Sequence, residues 1–449
     1  MLRIRVQEVI PVRRKAYRAT VVNRVDEAVL TKGREGATLV IGMDQGKFEH
    51  LAVARWPNGE FERPWRVASP EQVPELVALL SRLARGRSLT VALEPSGTYG
   101  DPLRQALSDA GIAVERVSPK AAHDYAEVFD GVPSQHDGKD AAVVADLAAL
   151  GKSTPWPYQV PASWEQEVAC CVDWMDAQQR LLSMWLGRIE ALLARHWPEA
   201  TRIMKKLSSA TLLHALAAYG SPAALAADNQ AEARLAAWGG RFLKEEKRQR
   251  LLASAAGSVG VRASAAERSQ LMAYAEQALQ ARTEVRRAQQ RLQRLVKDQP
   301  VLQALGRAVG IATACVLWAH LGDPRHYASG PAYRKAMGLN LVERSSGIYK
   351  GKLKISRRGH GQVRRWLYFA ALRLARHAEL RDWYRAHKSK NGDDSKRVLI
   401  GIMRRLALAV YQVGAHQAVF DVRKLFPGTS PGAAQPVMIT RRKEVRIHS

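Results

Sequence analysis

Apolar residues fall into two regimes along the chain. Up to about residue 155 they come as short runs between turn residues; beyond it they recur every three or four positions over long stretches. Residues 38–44 form an apolar run ending in a carboxylate, which predicts a buried strand. Residues 48–55 predict a second strand, Pro57-Asn58-Gly59 a turn, and residues 61–67 a third, returning strand. Residues 70–83 have helical spacing, and residues 89–93 predict a strand that stops at Glu94-Pro95-Ser96-Gly97. A helix over 102–110, a strand over 113–117 and a helix over 137–150 follow. A three-stranded meander followed by alternating helices and strands predicts an α/β domain over residues 37–155.

Pro155, Pro157 and Pro161 mark the change of regime. Trp164, Val168, Cys171, Met175, Leu182, Trp185, Ile189 and Leu192 then step by three or four, with Gln178 filling one step and Pro198 ending the run. Over 263–296, Leu271, Ala278, Val285 and Leu292 lie seven apart, each followed three residues later by Tyr274, Ala281, Ala288 or Leu295. Two such seams predict an antiparallel coiled-coil arm over 160–300, with 200–262 as its helical tip. Two core helices of an ordinary bundle would show the same spacing. Residues 301–426 are helical in pattern and rich in Arg; 427–449 turn to Gly, Ser, Pro and Ala and then basic, which predicts a disordered basic tail. Residues 1–36 read as an irregular basic extension.

Charge narrows the function. Lys and Arg number 69 against 42 Asp and Glu, a formal net charge of +27, which favours a polyanionic partner. With 47% hydrophobic residues the chain has material for real cores. Its three cysteines, Cys170, Cys171 and Cys315, have neither zinc spacing nor a disulfide framework, as expected of a reducing cytoplasm. No run approaches the roughly 18 apolar residues of a membrane span, and the N-terminus lacks a signal-peptide core. The positive charge is spread along the chain, not along one amphipathic helix, so no membrane partner is expected.

Against this basic background four acids stand out. Asp44 ends the first strand, Glu94 ends a later one, and Asp137 and Asp140 share a face in the first turn of a helix. Carboxyl ends of parallel strands form the usual ligand crevice, and carboxylates meeting there repel unless divalent cations hold them. Two hard ions bridged by oxygens suit phosphodiester chemistry. Taken singly, Asp137 can be a helix cap, Asp140 a solvated first-turn acid, Glu94 a loop residue and Asp44 an ordinary strand-end acid.

Further on, residues 305–314 resemble a degenerate helix-hairpin-helix turn, with Gly310 kept and Ala308 in place of a second glycine. Ordinary helix–helix connections look the same. Gly338-Leu339 leads into Ser345-Ser346-Gly347, followed by Lys350, Lys352, Lys354, Arg357, Arg358, Arg364 and Arg365. The basic run predicts a phosphate-contacting surface or else a solvated helix face, with Trp366, Tyr368 and Phe369 as core. A serine among such cations can attack a phosphodiester, although Ser-Ser-Gly by itself is a plain turn.

Together these pieces resemble the DEDD transposases of bacterial insertion sequences, described as bridge-RNA-guided recombinases. The resemblance rests on Ile41-Gly42-Met43-Asp44, Leu93-Glu94-Pro95-Ser96-Gly97-Thr98-Tyr99 and His136-Asp137-Gly138-Lys139-Asp140-Ala141. It continues through Ala308-Val309-Gly310, Tyr327-Ala328-Ser329, Gly338-Leu339, Ser345-Ser346-Gly347 and Ile355-Ser356-Arg357-Arg358-Gly359-His360, covering roughly residues 38–380 in order. It implies a RuvC-like, RNase H-type α/β domain, a helical coiled-coil middle, and a mainly α C-terminal transposase domain over 301–426 with a nucleophilic serine. Carried over, Asp44, Glu94, Asp137 and Asp140 would bind metal, two Mg²⁺ or Mn²⁺ ions, and Ser346 would be the nucleophile with Ser345 its neighbour and competitor.

The same resemblance implies donor and target DNA, a structured non-coding bridge RNA, a homodimer or homotetramer with a composite active centre, and a place at the bacterial nucleoid in the cytoplasm. The chain departs from the family's pattern in its 36-residue extension, in Ala308 and in His136 before the third acid. The competing expectation is a RuvC-like hydrolytic nuclease of the Holliday-junction-resolving kind, with the same acids and no covalent step. An architectural nucleic-acid-binding protein would leave the acids without a role.

Overall fold

In a computed structural model the chain forms two compact units, one ending at Val160 and the other beginning at Pro161. The structure describes residues 19–95, 97–130, 137–343 and 353–426.

The first unit is built on a seven-stranded sheet. Its strands are β1 (Thr20–Val21), β2 (Leu39–Gln45), β3 (Glu49–Arg55), β4 (Trp65–Ala68), β5 (Leu89–Leu93), β6 (Ala113–Val117) and β7 (Ser153–Pro155), in the spatial order β1-β4-β3-β2-β5-β6-β7. β2, β3 and β4 are antiparallel neighbours, whereas β2, β5 and β6 run parallel, as chain crossovers through helices require. The helices are α1 (Glu27–Thr31), α2 (Val73–Leu83), α3 (Asp101–Asp109), α4 (Pro119–Asp130) and α5 (Asp137–Ala149). Alternation along the strands sorts them into two layers. Leu39, Ile41, Met43, Val91 and Leu93 bury against Leu76, Leu80, Leu103 and Leu107 of α2 and α3. Ala92 and Val117 instead meet Ala122 and Ala126 of α4 and Val143, Val144 and Leu147 of α5. This mixed α/β sheet fits an RNase H-like domain.

Three features differ from the pattern-based expectation. The third strand starts only at Trp65, touching β3 earlier through a single bridge between Arg55 and Phe61; Pro64, with no N–H to donate, delays the pairing. Helix α4 buries only Ala122 and Ala126 and so has no large-residue periodicity to announce it. Residues 19–36 are also not irregular. β1 pairs in parallel with β4, Asp26 caps α1 by accepting from the N–H groups of Ala28 and Val29, and Val22 and Leu30 are buried in the core.

The second unit is mostly helical. Its longest helices are α6 (Ser163–His196) and α12 (Ala265–Leu295), separated in sequence by five short helices, α7 (Pro198–Ile203), α8 (Ala210–Tyr219), α9 (Pro222–Ala227), α10 (Ala231–Gly239) and α11 (Glu245–Ala256). Helix α12 starts at a reciprocal cap: the Glu267 N–H donates to Ser264 Oγ at 3.2 Å and the Ser264 N–H to Glu267 Oε2 at 2.9 Å. Helices α6 and α12 lie antiparallel, since Glu167 pairs with Arg291, Trp174 with Glu284 and Arg188 with Tyr274. Leu271, Ala278, Val285 and Leu292 are all buried along the seam; on α6, Val172 and Leu193 join Val168, Cys171, Met175 and Ile189. One end of the pair packs with α7–α11 around Leu212, Leu216 and Trp197.

The other end packs with α13 (Pro300–Val309), α14 (Ile311–Leu321), α15 (Gly330–Ala336), α16 (Gly361–Leu374), α17 (Ala378–Lys390) and α18 (Ser395–His416). Among the described residues α18 is long and apolar enough to cross a membrane, and α13 with α14 would pass as a bent pair. The apolar residues of α18, including Leu399, Ile402, Met403 and Leu406, are however buried in this core. Gly310 breaks α13 from α14 at φ +83°, a conformation open to glycine, and the axis bends there by 118°. A two-stranded hairpin, β8 (Leu341–Val342) and β9 (Lys354–Ile355), stands between α15 and α16.

Candidate active site

The site begins with the register of two parallel strands. Met43 on β2 lies opposite Leu93 on β5, so Asp44 and Glu94 leave neighbouring strands at the same level. Both follow the alternation that faces α5. That helix crosses β2 at Gly42, where a Cβ would stand 2.1 Å from the Ala141 carbonyl oxygen and 2.3 Å from the Ala145 nitrogen. The bare glycine and the small residues Ala141, Ala142 and Ala145 let helix and strand approach closely, which brings the first turn of α5 over the end of β2. Asp146, further along α5, accepts from Arg55 Nε on β3 at 2.6 Å and from the Tyr125 hydroxyl on α4 at 2.7 Å. Lys139 is buried, with its ammonium 2.6 Å from Asp130 at the end of α4.

Asp44, Asp137 and Asp140 each bring a carboxylate oxygen within 4.8 Å of the others, a spacing that a single cation can bridge. Glu94 lies outside this trio but within its field. Burial raises the Asp44 carboxyl above its ordinary value, and the charges of Asp137 and Asp140 raise it further. Burial likewise raises Glu94, with Asp44 and Asp140 adding to the shift. The site thus concentrates negative charge, and its all-oxygen donor set suits a hard divalent cation.

Comparison with known proteins gives two matches. Residues 41–198 match a family model for DEDD transposases of the IS110 type, and residues 307–387 match one described as the transposase IS116/IS110/IS902 family. Together they span more than half of the chain and touch both units. The chain belongs to the IS110-family DEDD transposases. No curated protein matches it. The transposase is therefore an enzyme acting on DNA, and its family implies dependence on a divalent metal.

The second match covers the remaining predicted residues. Ser345, Ser346, Lys350 and Lys352 lie outside the described residues, as do Ser96 and His136. Among the described residues nearby, Val342 pairs with Lys354 and Leu341 with Ile355. Of the predicted phosphate surface, Lys354, Arg357 and Arg358 are exposed. Arg364 is half-buried and donates to the carbonyls of Met337 and Gly359, while Arg365 stands 3.8 Å from the buried Asp176. Trp366 is core, but Phe369 is 47% exposed. Gly42 and Asp146 are the positioning residues that sequence reasoning missed. A glycine inside a strand signals close approach, without saying of what.

Proposed function

We propose that this transposase is a transesterifying DNA recombinase in which Ser346 forms a transient bond to a DNA strand. Ser346 Oγ attacks the phosphorus; the Oγ–P bond forms as the bond to the leaving deoxyribose oxygen breaks, and that oxygen receives the serine's proton. A hydroxyl of the exchanged strand then attacks the phosphoserine, and the proton returns to Ser346. The number of phosphodiester bonds is unchanged, so no ATP is needed.

Asp44, Asp137 and Asp140, with Glu94 beside them, would hold two Mg²⁺ or Mn²⁺ ions. When bound, such ions offset charge on the scissile phosphate. The single observation that carries the reading is the trio Asp44, Asp137 and Asp140, gathered within 4.8 Å in a chain of charge +27. Lys350, Lys352, Lys354, Arg357, Arg358, Arg364 and Arg365 would supply backbone contacts around the serine. The Gly310 turn would act as a helix-hairpin-helix-like phosphate contact, and α6 with α12 as the antiparallel coiled-coil arm of residues 160–300, which links in sequence a RuvC-like domain over 37–155 to a transposase domain over 301–426.

A homodimer or homotetramer would join the acids of one subunit to the serine of another. A structured bridge RNA would select donor and target DNA by base pairing, at the nucleoid. The test is an SDS-resistant protein–DNA adduct on element-end DNA with its flanking RNA. The wild type is expected to trap it; Ser346→Ala and Asp44→Ala are each expected to lose adduct, excision and integration. Full recombination by Ser346→Ala would overturn the proposal, and cleavage without adduct would indicate the hydrolytic nuclease.

A further inference from the structure

Three arginines from three helices gather around the Gly338-Leu339 turn, at the base of the β8–β9 hairpin. Arg364 of α16 donates through Nη1 to the carbonyls of Met337 and Gly359. Arg404 of α18 donates through Nε to the Leu339 carbonyl at 3.0 Å. Arg334 of α15 has a buried Nε with no hydrogen-bond partner, and the buried Asn340 Oδ1 has none either. None of the three forms an ion pair with an Asp or Glu among the described residues. Burial and a neighbouring cation act together: Arg404 is lowered by burial and then by Arg334, and Arg364 by burial and then by Arg357 of the basic run.

Half-buried guanidinium groups without counter-charge disfavour the fold, and neutral carbonyls satisfy only one edge of Arg364 and Arg404. The remaining edges carry parallel N–H donors, a geometry that fits phosphate oxygens bidentately. We propose that Arg334 and Arg404, with Arg364, form a pocket that takes one phosphodiester of the DNA backbone. The inference rests on the reading that the second unit handles DNA. It adds two residues distant in sequence from the basic run. A purely structural role accounts for the carbonyl bonds of Arg364 and Arg404, but not for Arg334, whose guanidinium adds repulsion.

Arg334→Gln is therefore the decisive variant, tested in the full-length protein with metal chelated, so that binding is read without chemistry. On a labelled random-sequence duplex its affinity is expected to fall about tenfold. The slope of log K against log salt is expected to shrink by about one. Its melting temperature is expected to equal or exceed that of wild type, because a repulsion has been removed. Inorganic phosphate is expected to raise the melting temperature of wild type more than that of Arg334→Gln. Arg404→Lys, which keeps the charge but loses the forked donors, is expected to lose part of the affinity. Wild-type affinity and slope in Arg334→Gln would overturn the proposal, as would a lowered melting temperature with DNA binding lost only in proportion to unfolding. A loss confined to a single-stranded RNA probe would overturn the assignment to DNA. Since no cleavage is measured, failure of the phosphoserine mechanism would leave this result untouched, and the reverse also holds.

Discussion

Asp44 is held where its own charge is unwelcome. Its carboxyl and that of Glu94 are raised from ordinary values of 3.8 and 4.5, first by burial and then by neighbouring acids. A raised carboxyl binds its proton more tightly in the folded than in the unfolded chain. The stability it contributes is complete below the unfolded value and disappears as pH rises through the raised folded value. In metal-free protein, wild type is therefore expected to lose stability relative to Asp44→Asn as pH climbs from about 4. Asp44→Asn removes one repelling charge and is expected to melt higher than wild type at neutral pH in a chelator. Added Mn²⁺ is expected to raise the melting temperature of wild type and to leave Asp44→Asn nearly unchanged; a chelated variant that melts lower would count against a metal-holding role. The cysteines give a second test at this scale. Burial pushes the Cys315 thiol up to about 12, and the Cys171 thiol is also raised, its Sγ donating to the Ala288 carbonyl at 3.3 Å. Thiolate is the reactive form, so iodoacetamide on the native protein is expected to label exposed Cys170 and spare the other two, as peptide mapping would show.

At the scale of elements, the site depends on how closely α5 can cross β2. Gly42→Ala puts a methyl 2.1 Å from the Ala141 carbonyl, and backbone atoms on a packed helix cannot yield as a side-chain end can. The expected cost is about 1–3 kcal/mol of stability, together with weaker Mn²⁺ binding, because the turn carrying Asp137 and Asp140 lifts away from Asp44. Calorimetric titration beside a melting curve checks both; unchanged metal affinity would mean that the crossing does not set the site. Much of this architecture was legible in the sequence because its signals are short-range. β2, β3, β5 and β6 announce themselves as apolar runs, α5 and the two long helices by spacing, and the four acids by lying at a strand end or in a first helical turn. What was not legible depends on partners remote in sequence. The two-residue strand β1 exists only because β4 offers it an edge. Helix α4 buries alanines, which leave no periodic trace, and Arg334 meets Arg404 only after α15 and α18 have packed.

At the scale of the molecule, each unit closes its own cores. In the first, the buried clusters are drawn from residues between Val22 and Leu147, with Trp156 packed against them. In the second they run from Val168 to Phe426, and α6 and α12 serve both of its clusters. Severing the chain after Val160 therefore opens no described core, whereas severing it within the α6–α12 pair would split two. Residues 1–160 expressed alone are expected to melt cooperatively and to bind Mn²⁺ in a manner abolished by Asp44→Asn, since the acid trio belongs wholly to that unit. They are expected to trap no adduct, because Ser346 is encoded in the other half. Mixing with residues 161–449 carries a sharper expectation. If the acids act on a strand that the serine holds, adduct returns in the mixture, and Asp44→Ala in the first fragment or Ser346→Ala in the second removes it. Adduct formed by residues 161–449 alone would separate the serine's chemistry from the carboxylates, and the two family matches would then mark two independent activities on one chain.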